Sequence, residues 1–430
     1  MAKIVVLSMA YRGDVHPYVP VASELAHRGH DVTFIVPREF HQEFEAEPFR
    51  CVHSGSDFAP SELNKHGAWL ARWGMRFGGV RLLELYIGEF TVPHLEPMYD
   101  AVHRALDGAD LLFCHSTAGI VGSMAAEKLD VPWISGDLFP MLIPTATASP
   151  APNIPALGRR VNRMTWCIVR STRPNRLSYA TEIAGFRRSL GLDARRRSMI
   201  DARISPHLNL GMVSPHYLAP APDWPINYEL TGFTHWQNAE TPLSADVATF
   251  LDAGEPALLV TLGTLAASVN PERFQLAIDA AAAAGLRTLS LCSTQLIADA
   301  LSTRNDAAQH MAVPFAPLSQ VLPHVRAVVH SGSHGTNSMT LAAGLPSIIV
   351  PSIFDQVWHA RRQEELGTGI HVPKARNLGA ALARLVGDPA MAARAKEFAT
   401  ALADEDGVTM TTDRIEDVLN AQVTATRCGE

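Results

Sequence analysis

Strand-length apolar runs alternate with helix-period segments twice along this 430-residue chain, and a proline-rich stretch separates the two series. Short apolar runs without polar alternation are the strands of parallel sheets covered by helices on both faces. In the first series residues 4–7 form the opening run and residues 12–17 a turn. Tyr18, Val21, Ala22, Leu25 and Ala26 then recur at helical spacing until Gly29 stops the helix. Residues 32–36, 111–114 and 133–135 continue the strand series. The second series has strands at 257–262, 286–292, 327–330 and 347–350. Its helices begin at Asn270-Pro271-Glu272, at Gly335 and at Asp355, and Gly285, Gly344 and Gly367 close them. Residues 215–245 read as a linker. The pattern predicts an α/β chain of two doubly wound parallel-sheet domains facing a cleft.

Bulk properties agree with that expectation and exclude several function classes. The chain is too long for one ordinary core. It is 47% hydrophobic and 18% charged, and its net charge of −7 argues against a nucleic-acid surface. The five cysteines (Cys51, Cys114, Cys167, Cys292 and Cys428) are scattered, without C-x-x-C spacing, so neither a zinc site nor a disulfide framework is expected. The N-terminal run is a strand rather than a signal peptide, and no apolar stretch is long enough to span a membrane. A cytoplasmic location follows, with room for peripheral contact at the inner membrane face. No feature fixes an oligomeric state.

The sharpest motif is the turn HSGSHGT at residues 330–336, placed between a strand and a helix. Gly332 and Gly335 allow a tight turn and close ligand approach. Ser331, Ser333 and Thr336 offer hydroxyls, and His330 closes the strand. The helix that follows presents N–H groups without internal partners, which favour a phosphate or pyrophosphate. The alternative is an ordinary turn with a Ser/Thr cap. No P-loop and no G-x-G-x-x-G dinucleotide fingerprint is present. Asp355-Gln356 opens the next helix, and an acid–amide pair there can bind vicinal sugar hydroxyls, although Asp355 can also serve only as a helix cap. Phe315 offers a flat face for a nucleobase or, alternatively, a core aromatic.

Together these segments resemble the inverting glycosyltransferases with two Rossmann-like domains, the GT-B fold. That family includes macrolide, glycopeptide, sterol and rhamnolipid glycosyltransferases, and the resemblance covers nearly the whole chain. It implies an acceptor-binding domain over 1–215, a linker over 216–245 and a nucleotide-sugar-binding domain over 246–405. A terminal helix, 406–430, would pack back toward the first domain. The implied donor site comprises Gly13, Gly263, Thr264, Phe315, Ala316, His330, Ser331, Gly332, Ser333, Gly335, Thr336, Asp355 and Gln356. Counting back from AAGLP places Ser331 where many members carry the pyrophosphate-binding histidine. His330 then matches the first of a His-His pair, so both positions stay open. His359 stands where many members have Asn.

The turn RGDVHP aligns Asp14 with the family's general base. A carboxylate can accept the proton that an acceptor hydroxyl loses as it attacks the anomeric carbon. His16 is the alternative base or an acceptor contact, with a surface or packed histidine as its competing role, and a helix cap is the structural alternative for Asp14. Trp69 and Trp73, in an aromatic run at 69–90, and Phe139 and Met141, in the proline-rich loop 136–157, are assigned to a hydrophobic acceptor pocket. Local core packing is the competing role for the aromatics. The expected reaction moves a sugar from a UDP- or dTDP-sugar to a hydroxyl of a hydrophobic small molecule or lipid, with inversion, no cofactor and no metal. The rivals are a nucleotide-sugar epimerase, a non-catalytic nucleotide-sugar-binding or activator protein, and a lipid-binding protein of the membrane surface. An arginine-rich segment from Arg159 to Arg203 is a solvated basic face or a contact for anionic lipid.

Overall fold

The computed structural model describes residues 1–9, 12–57, 88, 91–140, 143–150, 157–170, 180–193, 200–236, 242–263, 272–303, 306–352 and 355–428. The chain divides into two compact units, the first within 1–59, 77–236 and 405–430 and the second within 237–404. Each is a doubly wound parallel α/β domain.

The first unit has seven strands: β1 (Lys3–Leu7), β2 (Asp31–Val36), β3 (Arg50–His53), β4 (Leu111–His115), β5 (Trp133–Asp137), β6 (Leu208–Gly211) and β7 (Tyr228–Leu230). Their spatial order is β3-β2-β1-β4-β5-β6-β7, and every pair is parallel. The winding reverses between β1 and β4, which pair in the register Leu7 to Cys114. Such a reversal splays the loops at the strands' carboxyl ends and opens a crevice there. The helices used below are α1 (Val19–His27), α2 (Leu95–Leu106), α3 (Gly119–Leu129) and α4 (Arg159–Val169). The residues of β1, β4 and β5 are almost all buried, as a sheet covered on both faces requires.

The second unit has six strands: β8 (Ala257–Thr261), β9 (Thr288–Leu291), β10 (His310–Val313), β11 (Val325–His330), β12 (Ser347–Ile349) and β13 (Gly369–His371). The order is β10-β9-β8-β11-β12-β13, again all parallel, and the winding reverses between β8 and β11. His330 pairs with Thr261 at the carboxyl ends of those two strands. Helices α5 (Glu272–Ala283), α6 (His334–Ala342) and α7 (Gln356–Leu366) cover this sheet. A long last helix, α8 (Gly407–Cys428), belongs to the first unit. Its Ile415 and Leu419 join the core formed by Leu25, Phe34 and Phe113, and its Asp413 and Glu416 accept from Arg28 at 2.6 and 2.8 Å.

Two expectations need correction. The stretch 12–17 is not an open turn: Arg12–Val15 winds as one helical turn and His16–Tyr18 as a 3-10 turn, with Pro17 in its first positions where no N–H is needed. The expected linker 216–245 contains β7, which adds an edge strand to the first sheet through Asn209–Tyr228 and Gly211–Leu230 pairing. No helix of the described residues is long and apolar enough to cross a membrane.

Candidate functional site

At the first switch point, Asp14 follows β1 and His115 closes β4. The Ser8 hydroxyl, just past β1, donates to the Asp14 carbonyl oxygen at 2.8 Å and ties this short turn to the sheet. Asp14 caps neither following helix: Val15 and Tyr18 hold those positions, without a side-chain cap. Its carboxylate is about one-third exposed, and Oδ1 lies 3.8 Å from Nε2 of the buried His115. The Thr117 backbone N–H donates to His115 Nδ1 at 3.2 Å, so the imidazole carries its proton on Nε2, facing Asp14. Burial and the nearby Arg203 guanidinium push His115 down to about 3, so it remains a neutral N–H donor at working pH.

Arg203 is itself buried. It donates to the Ser116 carbonyl at 2.6 Å and the Ser116 hydroxyl at 2.8 Å, and it faces the charge of Asp137. Burial holds Asp137 above the usual carboxylate range, against the pull of Arg203. His16 lies among Phe40, Phe44 and Trp236, with Nε2 3.1 Å from Glu43 Oε1, a carboxylate that Arg12 also contacts at 2.7 Å. That aromatic box accounts for His16 by packing. His115 is absent from the sequence-derived set; a histidine closing an apolar strand is the signal that marks it, and only the strand order brings it to Asp14.

At the second switch point, β11 runs into the glycine turn, and Gly263 lies two residues past the end of β8. Gly332 has φ +87°, and a Cβ there would lie 2.8 Å from Ile349 Cγ2 and 3.0 Å from the Gln356 carbonyl oxygen. Only glycine fits. Gly335 has neither constraint, so the tight turn rests on Gly332 alone. Gly263, at φ +77°, would bring a Cβ to 3.3 Å from Ser331 Oγ, so the end of β8 abuts the turn. His330 is fully buried. Its Nδ1 accepts the Gly332 N–H at 3.0 Å, which puts its proton on Nε2, an atom with no hydrogen-bond partner among the described residues. Burial, with His359 adding to it, pushes His330 down to about 3. Ser333 sits at the cap position of α6 without capping it, and its hydroxyl donates to Thr336 Oγ1 at 3.3 Å. The first bond of the α6 ladder runs from Asn337 N–H to Ser333 O at 2.8 Å, leaving the amides of Gly335 and Thr336 outside it.

Asp355 occupies the cap position of α7, also without a side-chain cap bond. Its Oδ2 lies instead 3.4 Å from His359 Nε2. A buried chain sets that histidine. The Ser347 hydroxyl donates to Gln363 Oε1 at 2.8 Å, Gln363 Nε2 donates to Asn337 Oδ1 at 2.8 Å, and Asn337 Nδ2 meets His359 Nδ1 at 3.5 Å. With both amides oriented, His359 Nδ1 must accept, so its N–H is presented toward Asp355. Gln356 Oε1 accepts the Ser352 N–H at 2.8 Å. Phe315 is 62% exposed, which removes the core-aromatic alternative, whereas Ala316 beside it is buried.

Gly13 is exposed in the Asp14 turn, and Phe139 is half-buried just past β5. Thr264, Trp69, Trp73 and Met141 lie outside the described residues. Among the described residues no group of three or more His, Cys, Asp or Glu side chains is placed to hold a metal ion.

The buried histidines predict a pH effect. His115 and His330 are held at about 3, and His235 and His310 at about 4, all chiefly by burial. Unfolded, each binds a proton near pH 6.5. Between those values the unfolded chain holds more protons than the folded one, so stability falls as pH drops below about 6.5. Asp137, with its raised value, acts in the opposite sense. The urea midpoint is expected to be lower at pH 5 than at pH 7.5; an unchanged midpoint would refute the buried neutral histidines.

Each parallel domain thus carries polar groups at its switch point, a partly exposed carboxylate in the first and a glycine turn beside an acid–amide pair in the second. Residues 298–416 match the family described as "Erythromycin biosynthesis protein CIII-like, C-terminal domain". The chain is 29% identical over 441 residues to the O-mycaminosyltylonolide 6-deoxyallosyltransferase of Streptomyces fradiae, covering 98% of this chain and 99% of that one. It is 27% identical to the sterol 3-beta-glucosyltransferase of Leptosphaeria maculans over 86% of this chain, but spans only 25% of that longer protein. The crystal structure of the glycosyltransferase VinC in complex with dTDP superposes with a TM-score of 0.67 at 19% identity, covering 97% of this chain and all (100%) of that one. The chain is thus similar over nearly its whole length to glycosyltransferases of the GT-B class, and it is an inverting, metal-independent, nucleotide-sugar-dependent glycosyltransferase.

Proposed function

We propose that this enzyme transfers a sugar from a dTDP- or UDP-sugar to a hydroxyl of a hydrophobic small molecule or lipid, with Asp14 as general base. The observation that carries this reading is the chemistry at the two switch points. Asp14 is an accessible carboxylate faced by a neutral N–H donor, and the 330–336 turn gathers amides and hydroxyls suited to a pyrophosphate. The acceptor O–H proton passes to Asp14 as its oxygen attacks the anomeric carbon. The bond from that carbon to the phosphate oxygen breaks, and the nucleoside diphosphate leaves with the electron pair. The amides of Gly335 and Thr336 and the hydroxyls of Ser333 and Thr336 receive its charge. His330 holds the turn through Gly332 N–H. Asp355, steadied by His359, and Gln356 bind sugar hydroxyls, and Phe315 stacks on the base. The macrolide-type and sterol-type relatives, and the dTDP in the VinC structure, support a dTDP- or UDP-linked donor and a hydrophobic acceptor.

The test is a mass-spectrometric screen of dTDP- and UDP-sugars against hydroxyl-bearing macrolides, sterols and lipids. A product heavier than its acceptor by one glycosyl residue is expected. Donor consumed without acceptor would favour the epimerase, and donor bound without turnover an activator protein.

A further inference from the structure

Helix α4 carries two unlike faces. Its inner face is fixed to the loop beneath: buried Asn162 donates to the Ala146 carbonyl at 2.9 Å, and Trp166 Nε1 donates to the Ala148 carbonyl at 3.1 Å. Its outer face shows Val161, Met164 and Ile168, 37%, 58% and 65% exposed, with Leu157 (59%) just before the helix. Spacings of three and four residues stack Val161, Met164 and Ile168 in one stripe on the helix, and Leu157 adds an exposed apolar side chain before its cap Gly158. Isolated exposed apolar residues are ordinary, but an aligned stripe on one helix is not. Arg159, Arg160 and Arg163 are exposed on the same helix. Arg170 is held by Asp201 at 2.8 Å, and Arg159 acts on Asp223, whereas Arg160 and Arg163 have no ion-pair partner among the described residues. The charge asymmetry extends along the sequence: residues 159–203 contain 12 arginines and 3 carboxylates in a chain whose net charge is −7.

We infer that α4 docks this enzyme on an anionic lipid bilayer, with the Val161–Met164–Ile168 stripe entering the acyl boundary and Arg160 and Arg163 lying among the headgroups. An apolar stripe bordered by arginines is the composition that lies in a bilayer's interfacial plane. A neutral or acidic protein surface would use one half of this face only, whereas an anionic membrane uses both. Neither signal anchors strongly alone; together they give reversible attachment that weakens in salt. Docking is independent of the catalytic assignment, because it needs neither donor nor acceptor.

Co-sedimentation of the full chain with phosphatidylglycerol/phosphatidylcholine vesicles tests this, with pure phosphatidylcholine as control. Binding to the anionic vesicles is expected, falling at high salt and poor on the neutral ones. The double variant Met164→Asp/Ile168→Asp should lose at least about tenfold in partitioning. Each of Arg160→Gln and Arg163→Gln should lose about fivefold on anionic vesicles only. All four side chains are exposed, so thermal melting and glycosyl transfer to a water-soluble acceptor should be unchanged. Absent binding at low salt, equal binding to neutral vesicles, or full binding by the double variant would each overturn the proposal. So would sedimentation velocity showing wild type that ignores vesicles and self-associates through Ile168, which would make this face an interface between copies.

Discussion

Asp14→Asn is expected to lower kcat by about 10²- to 10⁴-fold, the range over which a positioned general base contributes, while the KM for the donor changes little. The side chain keeps its shape and the backbone anchor from Ser8 to the Asp14 carbonyl is untouched, so the loss reads proton acceptance rather than folding. An unchanged melting temperature is the control. His115→Phe should show a smaller fall in kcat at unchanged donor KM, because it removes the N–H that faces Asp14 Oδ1 at 3.8 Å but leaves the carboxylate in place. Full activity in Asp14→Asn would eliminate Asp14 as the base. His16 is an unattractive replacement, since its imidazole lies within 3.1 Å of Glu43 and is boxed by three aromatic rings.

The central strands are legible in the sequence because they are buried on both faces: β1, β4 and β8 stand out as apolar runs, and β11 does so from Ala327 onward, past the exposed Arg326. The edge strands are not. β3 (RCVH) and β10 (HMAV) are half-buried and carry polar residues, and β7 and β13 span three residues each, too short for any period to register. The same distinction holds for the site. Residues contributed by one contiguous turn, Gly332 and Ser333 among them, follow from composition and spacing. Partners supplied by strand order or by buried relays do not. His115 reaches Asp14 only because β4 lies beside β1. Ser347 and Asn337 join Gln363 and His359 of α7 from a strand and a second helix whose adjacency no local pattern encodes.

The two glycines of the turn offer the second large effect, since the sequence treats them alike and the structure does not. Gly332→Ala imposes a left-handed φ on a residue with a Cβ and drives that Cβ into Ile349 and the Gln356 carbonyl, at 2.8 and 3.0 Å. Left-handed strain and overpacking together should cost about 2–4 kcal/mol, a substantial share of the roughly 5–15 kcal/mol that holds a folded domain. Relief can come only by moving the turn away from the start of α7. That separates the amides proposed to hold the pyrophosphate from Asp355 and Gln356, proposed to bind the sugar. Nucleoside diphosphate affinity, read by calorimetry on the folded fraction, should therefore fall by about tenfold or more, equivalent to about 1.4 kcal/mol. Gly335 lies inside α6 with ordinary φ and open space where an alanine methyl group would stand, so Gly335→Ala should hold or raise stability by about 0.5–1 kcal/mol. If Gly332→Ala bound the diphosphate as tightly as wild type, the donor would have to sit elsewhere than on this turn, whatever became of Asp14.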